Sequence, residues 1–553
     1  MRIAIINTGG TISCVGTPLA PMTAQAFAQA SQALLTPILQ QQFPALQVDY
    51  LTNVAFPESA SQTLDSTNLQ PSDWCIMARA VLQNYAQYDG FVILHGTDSM
   101  DFSGPALTFL LQSFDSQGQL QAALSKPVIL TGSQSPLYHQ NAQQALSLNF
   151  NTDAFQNMCG AIACAQSGVA EVGVYFHNQL LRGSRVVKIN ANQFYAFDSP
   201  NYPALARYGI TLQWLGDACA PPPVSAARSL DNPSVLTQQR QQLDHVQQLI
   251  SQWPIAMFSA FPAPYSVGGP ACFMASAITA LAASGAKGIV LQSYGEGNFP
   301  SGDPDHPSQG AIYQALLKAQ QSGVYLVDCT QVLAGSVNCN AYAAGAWLPQ
   351  VGALAPADMT PMAALTKLMV LLVYAQRQGW SRETVCTLMQ SNLAGEMQSV
   401  NTLDSRGHAV LRPGQSLYAL DGSASLINHP AQGPLLLAAD GHTVLWRPPL
   451  DVAASQLPGQ LRMQDDGNLV FYSRNNAALW ASNTGVASGA SSRLMINGSQ
   501  SSTPATLALQ IYDYSHQRCT ASLYPLTPPP SLRGAQHDSS TMAFETERPA
   551  RAR

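Results

Sequence analysis

Up to about residue 210, strand-length runs rich in β-branched and aromatic residues alternate with helix-length stretches, and few folds accept that alternation. The runs at 3–7, 91–94, 127–131 and 171–176 read as buried strands, with helices over 23–42 and 72–87 between them. A chain that repeats strand then helix builds a mostly parallel sheet with helices on its faces, so the class is α/β. The spacing predicts a first unit over 1–216 and a linker over 217–235, marked by Pro221-Pro222-Pro223. A second α/β unit is predicted over 236–400, with strands near 255–258, 288–292 and 324–328 and closing helices at 362–379 and 382–390. The texture then changes to period two with frequent Gly, Asn, Ser and Asp, which predicts an all-β unit over 401–526. Residues 527–553, opening on prolines and otherwise polar, read as a disordered tail.

Composition excludes some partners. Only 10% of the 553 residues are charged, and 25 basic against 31 acidic side chains leave a formal charge of −6. Without a basic run there is no electrostatic footprint for nucleic acid. The most apolar stretch, 362–374, contains Lys367 and is shorter than the ~18 residues that span a bilayer. The opening apolar run is too brief for a signal peptide's core and reads as the first strand. The ten cysteines stand singly, with no Cys-x-x-Cys and no zinc spacing, which points to free thiols in a reducing, cytoplasmic compartment. Export without a signal peptide is the alternative. No metal ligand set is expected.

Three strands of the first unit end in glycine and hydroxyl groups: Thr8-Gly9-Gly10-Thr11, His95-Gly96-Thr97-Asp98 and Thr131-Gly132-Ser133-Gln134. Ligands of open parallel sheets bind beyond the carboxyl ends of the strands, and glycine there lets backbone come close and offer N–H groups to an oxyanion. No Gly-Lys-Ser/Thr follows these glycines, so a phosphate loop is disfavoured. Lys188 is one of five lysines beside twenty arginines, and its neighbours Arg182 and Arg185 already supply positive charge. It is either a solvated surface lysine or, since lysine unlike arginine can give up its proton, the group that makes a threonine usable in catalysis.

The segments Thr8-Gly9-Gly10-Thr11-Ile12 and His95-Gly96-Thr97-Asp98-Ser99-Met100 resemble the two signatures of bacterial-type L-asparaginases. The resemblance continues through Lys126-Pro127-Val128-Ile129-Leu130-Thr131-Gly132-Ser133-Gln134, Arg182-Gly183-Ser184-Arg185-Val186-Val187-Lys188, Ser293-Tyr294-Gly295-Glu296-Gly297-Asn298 and Ala357-Asp358-Met359-Thr360. It covers about 1–395 and is most similar to the cytoplasmic type I branch. It implies the two-domain asparaginase/glutaminase fold, L-asparagine as substrate, no cofactor, and a homodimer or homotetramer. It also implies that Thr11 attacks the carboxamide carbon, that Thr97 and Lys188 serve the water that releases aspartate, and that Asp98 holds the α-amino group. Ser66, flanked by Asp65 and Thr67, matches the carboxylate-binding position, and these three residues together with Ser133 of the third strand-end motif are the expected substrate-binding residues.

Two departures stand out. The family carries a tyrosine on the loop after the first threonine, whereas the first tyrosine here is Tyr50 and Pro18-Leu19 occupy that place. The segment after Gln134 is expanded, with Asn151-Thr152-Asp153 standing in for the family's Ser-Asp-Gly. Either Tyr138, inside the expansion, replaces the missing tyrosine, or the expansion is a surface loop and Thr11 is less well activated.

In the β unit, Gln464, Asp466, Asn468, Val470 and Tyr472 recur with period two and are expected on one side of one strand. This row resembles the sugar site of the monocot mannose-binding (bulb-type) lectins, which are threefold β-prisms, and it implies one mannose-type site at Gln464, Asp466, Asn468 and Tyr472. Trp446 and Trp480 mark a weak repeat, with a fainter third copy in 507–526. A lectin fold kept for packing or oligomer contacts is the alternative.

Overall fold

The computed structural model describes residues 1–525 apart from 117, 119, 216–225, 268–271, 339–341, 399–401, 406–408, 420–423, 439, 451, 465, 486–491, 498–506 and 514–517. Strand Arg2–Asn7, apolar at every position from Ile3 to Ile6, is buried on both faces and sits between Gln47–Leu51 and Gly90–Leu94, parallel to both. The sheet continues in parallel through Val128–Thr131 to Val172–Phe176, then turns antiparallel through Gln179–Arg182, Ala206–Tyr208 and Leu212–Trp214. Taken in chain order, the five parallel strands lie as second, first, third, fourth, fifth. In this doubly wound order the direction of winding reverses between the first and third strands, which opens a crevice there. Thr8-Gly9-Gly10-Thr11 and His95-Gly96-Thr97-Asp98 follow those two strands.

The helix expected over 23–42 is not one regular helix. It runs Ala24–Ala30, widens into a π turn at Ser31–Leu35, and resumes at Thr36–Gln42. Pro37 has no N–H to offer the preceding turn, and the ladder slips where that bond is missing.

The second unit is a four-stranded parallel sheet of Ile255–Ser259, Gly288–Ser293, Tyr325–Thr330 and Ala353–Leu354. Helix Pro233–Leu249 buries Val235, Leu236, Leu243 and Val246 in the same apolar cluster as Trp74 and Val81 of the first unit, and helix Pro361–Gln378 joins that cluster through Leu368, Leu372 and others. One core therefore serves both α/β units. Part of the predicted linker is pinned to the first unit: Ala123 N–H donates to Arg228 O at 2.9 Å, and Leu230 N–H to Ala123 O at 3.0 Å. The triple proline and the tail lie outside the described residues.

Lys367 does not break the apolar helix because it is fully buried with a partner. Its Nζ donates to Glu396 Oε1 at 2.5 Å and to Ser391 O at 2.6 Å, and Glu396 also accepts from the Leu393 and Ala394 amides. No helix among the described residues is long and apolar enough to cross a membrane.

Beyond 401 the described residues form three four-stranded antiparallel sheets. All three contribute to one small core, including Leu403, Leu426, Leu436, Leu461, Phe471, Leu494 and Ile511. The Trp446 and Trp480 rings meet edge to face at 5.9 Å.

Candidate active site

Glycine sets the crevice. Gly9 and Gly10 have φ of +119° and +75°, and Gly10 N–H donates to Leu64 O at 3.0 Å while Leu64 N–H donates to Thr8 O at 2.8 Å. The segment 64–66 is thereby laid along the first strand end, and Ser66 is buried. A Cβ on Gly10 would lie 2.3 Å from the Cα of Gly96, and one on Gly96 would lie 2.4 Å from Ser66 Oγ. Only bare backbone permits the first strand end, the third strand end and the Ser66 turn to approach so closely.

Not every hydroxyl at these strand ends faces the crevice. Thr8 donates to Leu94 O and Thr131 to Tyr175 O, both at 2.8 Å, which ties neighbouring strands together. Ser133 Oγ donates to Ser135 O at 2.5 Å and is fully buried. Thr11 is half-buried at the start of the short turn Thr11–Ser13; its carbonyl accepts from the Cys14 amide, and its hydroxyl has no hydrogen-bond partner among the described residues. The Thr97 hydroxyl accepts from Lys188 Nζ at 3.0 Å and points its own proton toward Gln134 Oε1 at 3.5 Å. Lys188 Nζ also meets Asp98 Oδ1 at 2.7 Å. Asp98 N–H donates to Ser66 Oγ at 3.2 Å, so the two lie side by side. Asp65 caps its own turn, accepting from the Thr67 amide and hydroxyl at 3.1 Å each, and both residues are exposed. Thr97, Asp98, Lys188 and Ser66 are thus brought together, whereas the Ser133 side chain is turned to its own loop.

The surroundings brace this group. His95 is buried, which pushes its pKa down to about 4 and keeps it neutral. Its Nδ1–H donates to Gly96 O at 2.7 Å, so Nε2 accepts from Ser103 at 2.9 Å, and Ser103 in turn accepts from Trp74 Nε1 at 3.1 Å. Asp153 Oδ2 accepts from the Gln134 amide at 2.8 Å, and Gln134 Nε2 donates to Gln193 O at 3.1 Å. The sequence motifs give Gln134 and Asp153 no role, because spacing alone does not say which strand-end amide finds a partner.

Tyr138 does not stand free to assist Thr11. Its ring is buried against Phe27, its hydroxyl bonds Ser31 Oγ at 2.7 Å, and burial pushes its pKa well up. Leu19, on the loop after Thr11, is exposed.

In the β unit the polar row is not one strand. Gln464 stands at the turn between strands Gln460–Met463 and Leu469–Tyr472, where its N–H donates to Asn468 O at 2.9 Å. Asn468, Val470 and Tyr472 do alternate, and Gln464 Nε2 reaches back to Tyr472 OH at 2.7 Å. Asp466 Oδ1 accepts from the Asn468 amide at 2.9 Å, and Asn468 Oδ1 accepts from Ser482 at 3.1 Å. A hairpin turn, unseen in the period-two pattern, pairs Gln464 with Tyr472 and Asp466 with Asn468.

Comparison with known proteins accords with the crevice. Residues 2–219 match the family described as "Asparaginase, N-terminal", and 269–389 match "Glutaminase/Asparaginase C-terminal domain". L-asparaginase 1 of Escherichia coli (strain K12) is 31% identical over 396 residues, which is 71% of this chain and 97% of that protein. The 60 kDa lysophospholipase of Homo sapiens is 32% identical over 336 residues, 60% of this chain and 48% of its own length. L-asparaginase I of Vibrio cholerae superposes with a TM-score of 0.52 at 28% identity, covering 72% of this chain and 99% of that structure. The thermostable L-asparaginase of Thermococcus kodakarensis gives 0.52 at 25%, over 72% and 100%. The chain belongs to the asparaginase family and is an amidohydrolase of that family.

Proposed function

We propose that the enzyme hydrolyses L-asparagine to L-aspartate and ammonia in two steps. Thr11 Oγ1 adds to the side-chain carboxamide carbon, the C–N bond breaks, and the nitrogen leaves as ammonia carrying the proton that the Thr11 hydroxyl gave up, forming an acyl-threonine. A water at Thr97 then adds to the ester, its proton passing through the Thr97 hydroxyl to the Lys188 amine, and aspartate departs as Thr11 recovers its hydrogen. Asp98 and Ser66 hold the substrate's α-amino and α-carboxylate groups, with Asp65 and Thr67 shaping the turn and Ser133 supporting the loop after Val128–Thr131. The observation that carries this reading is Lys188 Nζ at 3.0 Å from Thr97 Oγ1 and 2.7 Å from Asp98 Oδ1. A threonine hydroxyl needs such a basic partner to work.

Ammonia release from asparagine and glutamine by the purified chain tests it. Thr11→Val and Lys188→Met are each expected to lose at least a hundredfold. Parental rates in either variant would remove that residue from the mechanism. A parental chain that releases no ammonia would leave a scaffold without turnover, and faster release from glutamine would make it a glutaminase.

The reading includes the division 1–216, 217–235, 236–400, 401–526 and 527–553, a homodimer or homotetramer, and a cytoplasmic location. It also takes the β unit as a bulb-type lectin domain with one mannose-type site at Gln464, Asp466, Asn468 and Tyr472. The bond from Gln464 to Tyr472 supports this, since it holds together an amide and a phenol, two groups that hydrogen-bond sugar hydroxyls. Titration of the full chain with mannose, with Asn468→Ala as control, tests that part.

A further inference from the structure

Lys188 is held at both ends by a single short stretch of chain. Its Nζ contacts Thr97 Oγ1 and Asp98 Oδ1, and its backbone N–H donates to Asp101 Oδ2 at 3.1 Å. Asp101 lies one residue beyond the stretch that carries the resemblance, in the first turn of helix Met100–Leu110. An acidic residue in that position is ordinarily accounted for by the helix dipole, and such residues face water. Asp101 is instead 6% exposed, and its Oδ1 is buried with no hydrogen-bond partner. Burying a carboxylate with one oxygen unsatisfied costs stability, so the helix start alone does not explain it.

The strand that presents Lys188 needs an outside anchor. Val187–Lys188 is two residues long and pairs only with Phe197–Asp198. Such a short pairing does little to hold a flexible amine in place. We infer that Asp101 is a positioning residue for Lys188, its carboxylate accepting the Lys188 amide and fixing the amine over Thr97. The inference rests on the reading of Lys188 as the amine that serves the hydrolytic water. Misplacement by about an ångström is enough to cost orders of magnitude in rate. Asp101 bonds neither Ser66 nor Asp98 directly, so the effect belongs chiefly in kcat, with KM moved only as far as the Lys188–Asp98 contact is disturbed.

The test measures asparagine turnover and melting temperature for the full chain and for Asp101→Ala, Asp101→Asn and Lys188→Met. Asp101→Ala is expected to lower kcat at least tenfold with KM within twofold of the parent. Asp101→Asn, which keeps an acceptor for the Lys188 amide, is expected to recover kcat to within about threefold. Parental kcat in Asp101→Ala, a loss confined to KM, or no recovery in Asp101→Asn each overturns the inference. Should Asp101→Ala not fold, Asp101→Ser replaces it, since its hydroxyl is too short to reach the amide. Full turnover in Lys188→Met would instead defeat the reading of Lys188 itself.

Discussion

Gly10 and Gly96 meet backbone to backbone, so closely that a single methyl group on Gly10 would stand 2.3 Å from the Gly96 Cα. Neither position has room for a side chain, and Gly10 also holds φ at +75°. Gly96→Ala is expected to reduce ammonia release at least a hundredfold, because its Cβ displaces Ser66 and with it the turn beside Asp98. Gly10→Ala is expected to lose as much activity and to lower the melting temperature further, since it adds strain at positive φ. Steady-state assays with thermal melts of both variants check this.

Tyr138→Phe is expected to leave turnover within twofold of the parent. What it removes is the bond to Ser31, so stability falls by about 1 kcal/mol, measured by chemical denaturation. A tenfold fall in kcat would show that the phenol reaches Thr11 after all.

Lys367→Met is expected to destabilise by about 3–5 kcal/mol, because it leaves the Glu396 charge buried without its counter-ion. The double variant Lys367→Met, Glu396→Gln is expected to regain much of that loss, since glutamine still accepts the Leu393 and Ala394 amides without a charge. Denaturant midpoints of the two variants against the parent decide it.

Asp328, fully buried and bonded to Ser293, has its pKa pushed up to about 7 by desolvation. An unfolded aspartate titrates near 3.9. Between those values the folded state keeps a proton that the unfolded state has lost, so this group withdraws stability as pH rises from about 4 to about 7. Asp328→Asn does not titrate. Its melting temperature relative to the parent is therefore expected to climb by a few degrees over that range and then level off. A difference that stays flat with pH would contradict this.

Strands Arg2–Asn7, Gly90–Leu94 and Val128–Thr131 could be read from the chain because each is an apolar run that ends close to a glycine and is buried on both faces. Gln47–Leu51, with Gln47 and Asp49 and only partial burial, gave no such signal. The crevice was equally legible, since Thr11 and Thr97 follow strands whose ends are marked by Gly10 and Gly96. What spacing cannot convey is the partner a side chain finds across the fold. Tyr138 looked available because it lies in an expanded loop, yet Ser31, exposed to it by a π turn, takes its hydroxyl. Nothing in the sequence marks Asp101, because its bond is to a backbone amide 87 residues away. The polar row around Asn468 kept its period through a hairpin turn, so alternation concealed the bend at Gln464.

The apolar cluster shared by helix Pro233–Leu249, helix Pro361–Gln378 and the first sheet extends from Ala4 to Met397 without a seam, while the cluster of the β unit begins at Leu403. Heating should therefore melt both α/β lobes in one cooperative event, with the β unit free to melt at a temperature of its own. A protease that nicked the chain between the lobes would liberate neither of them as a stable fragment.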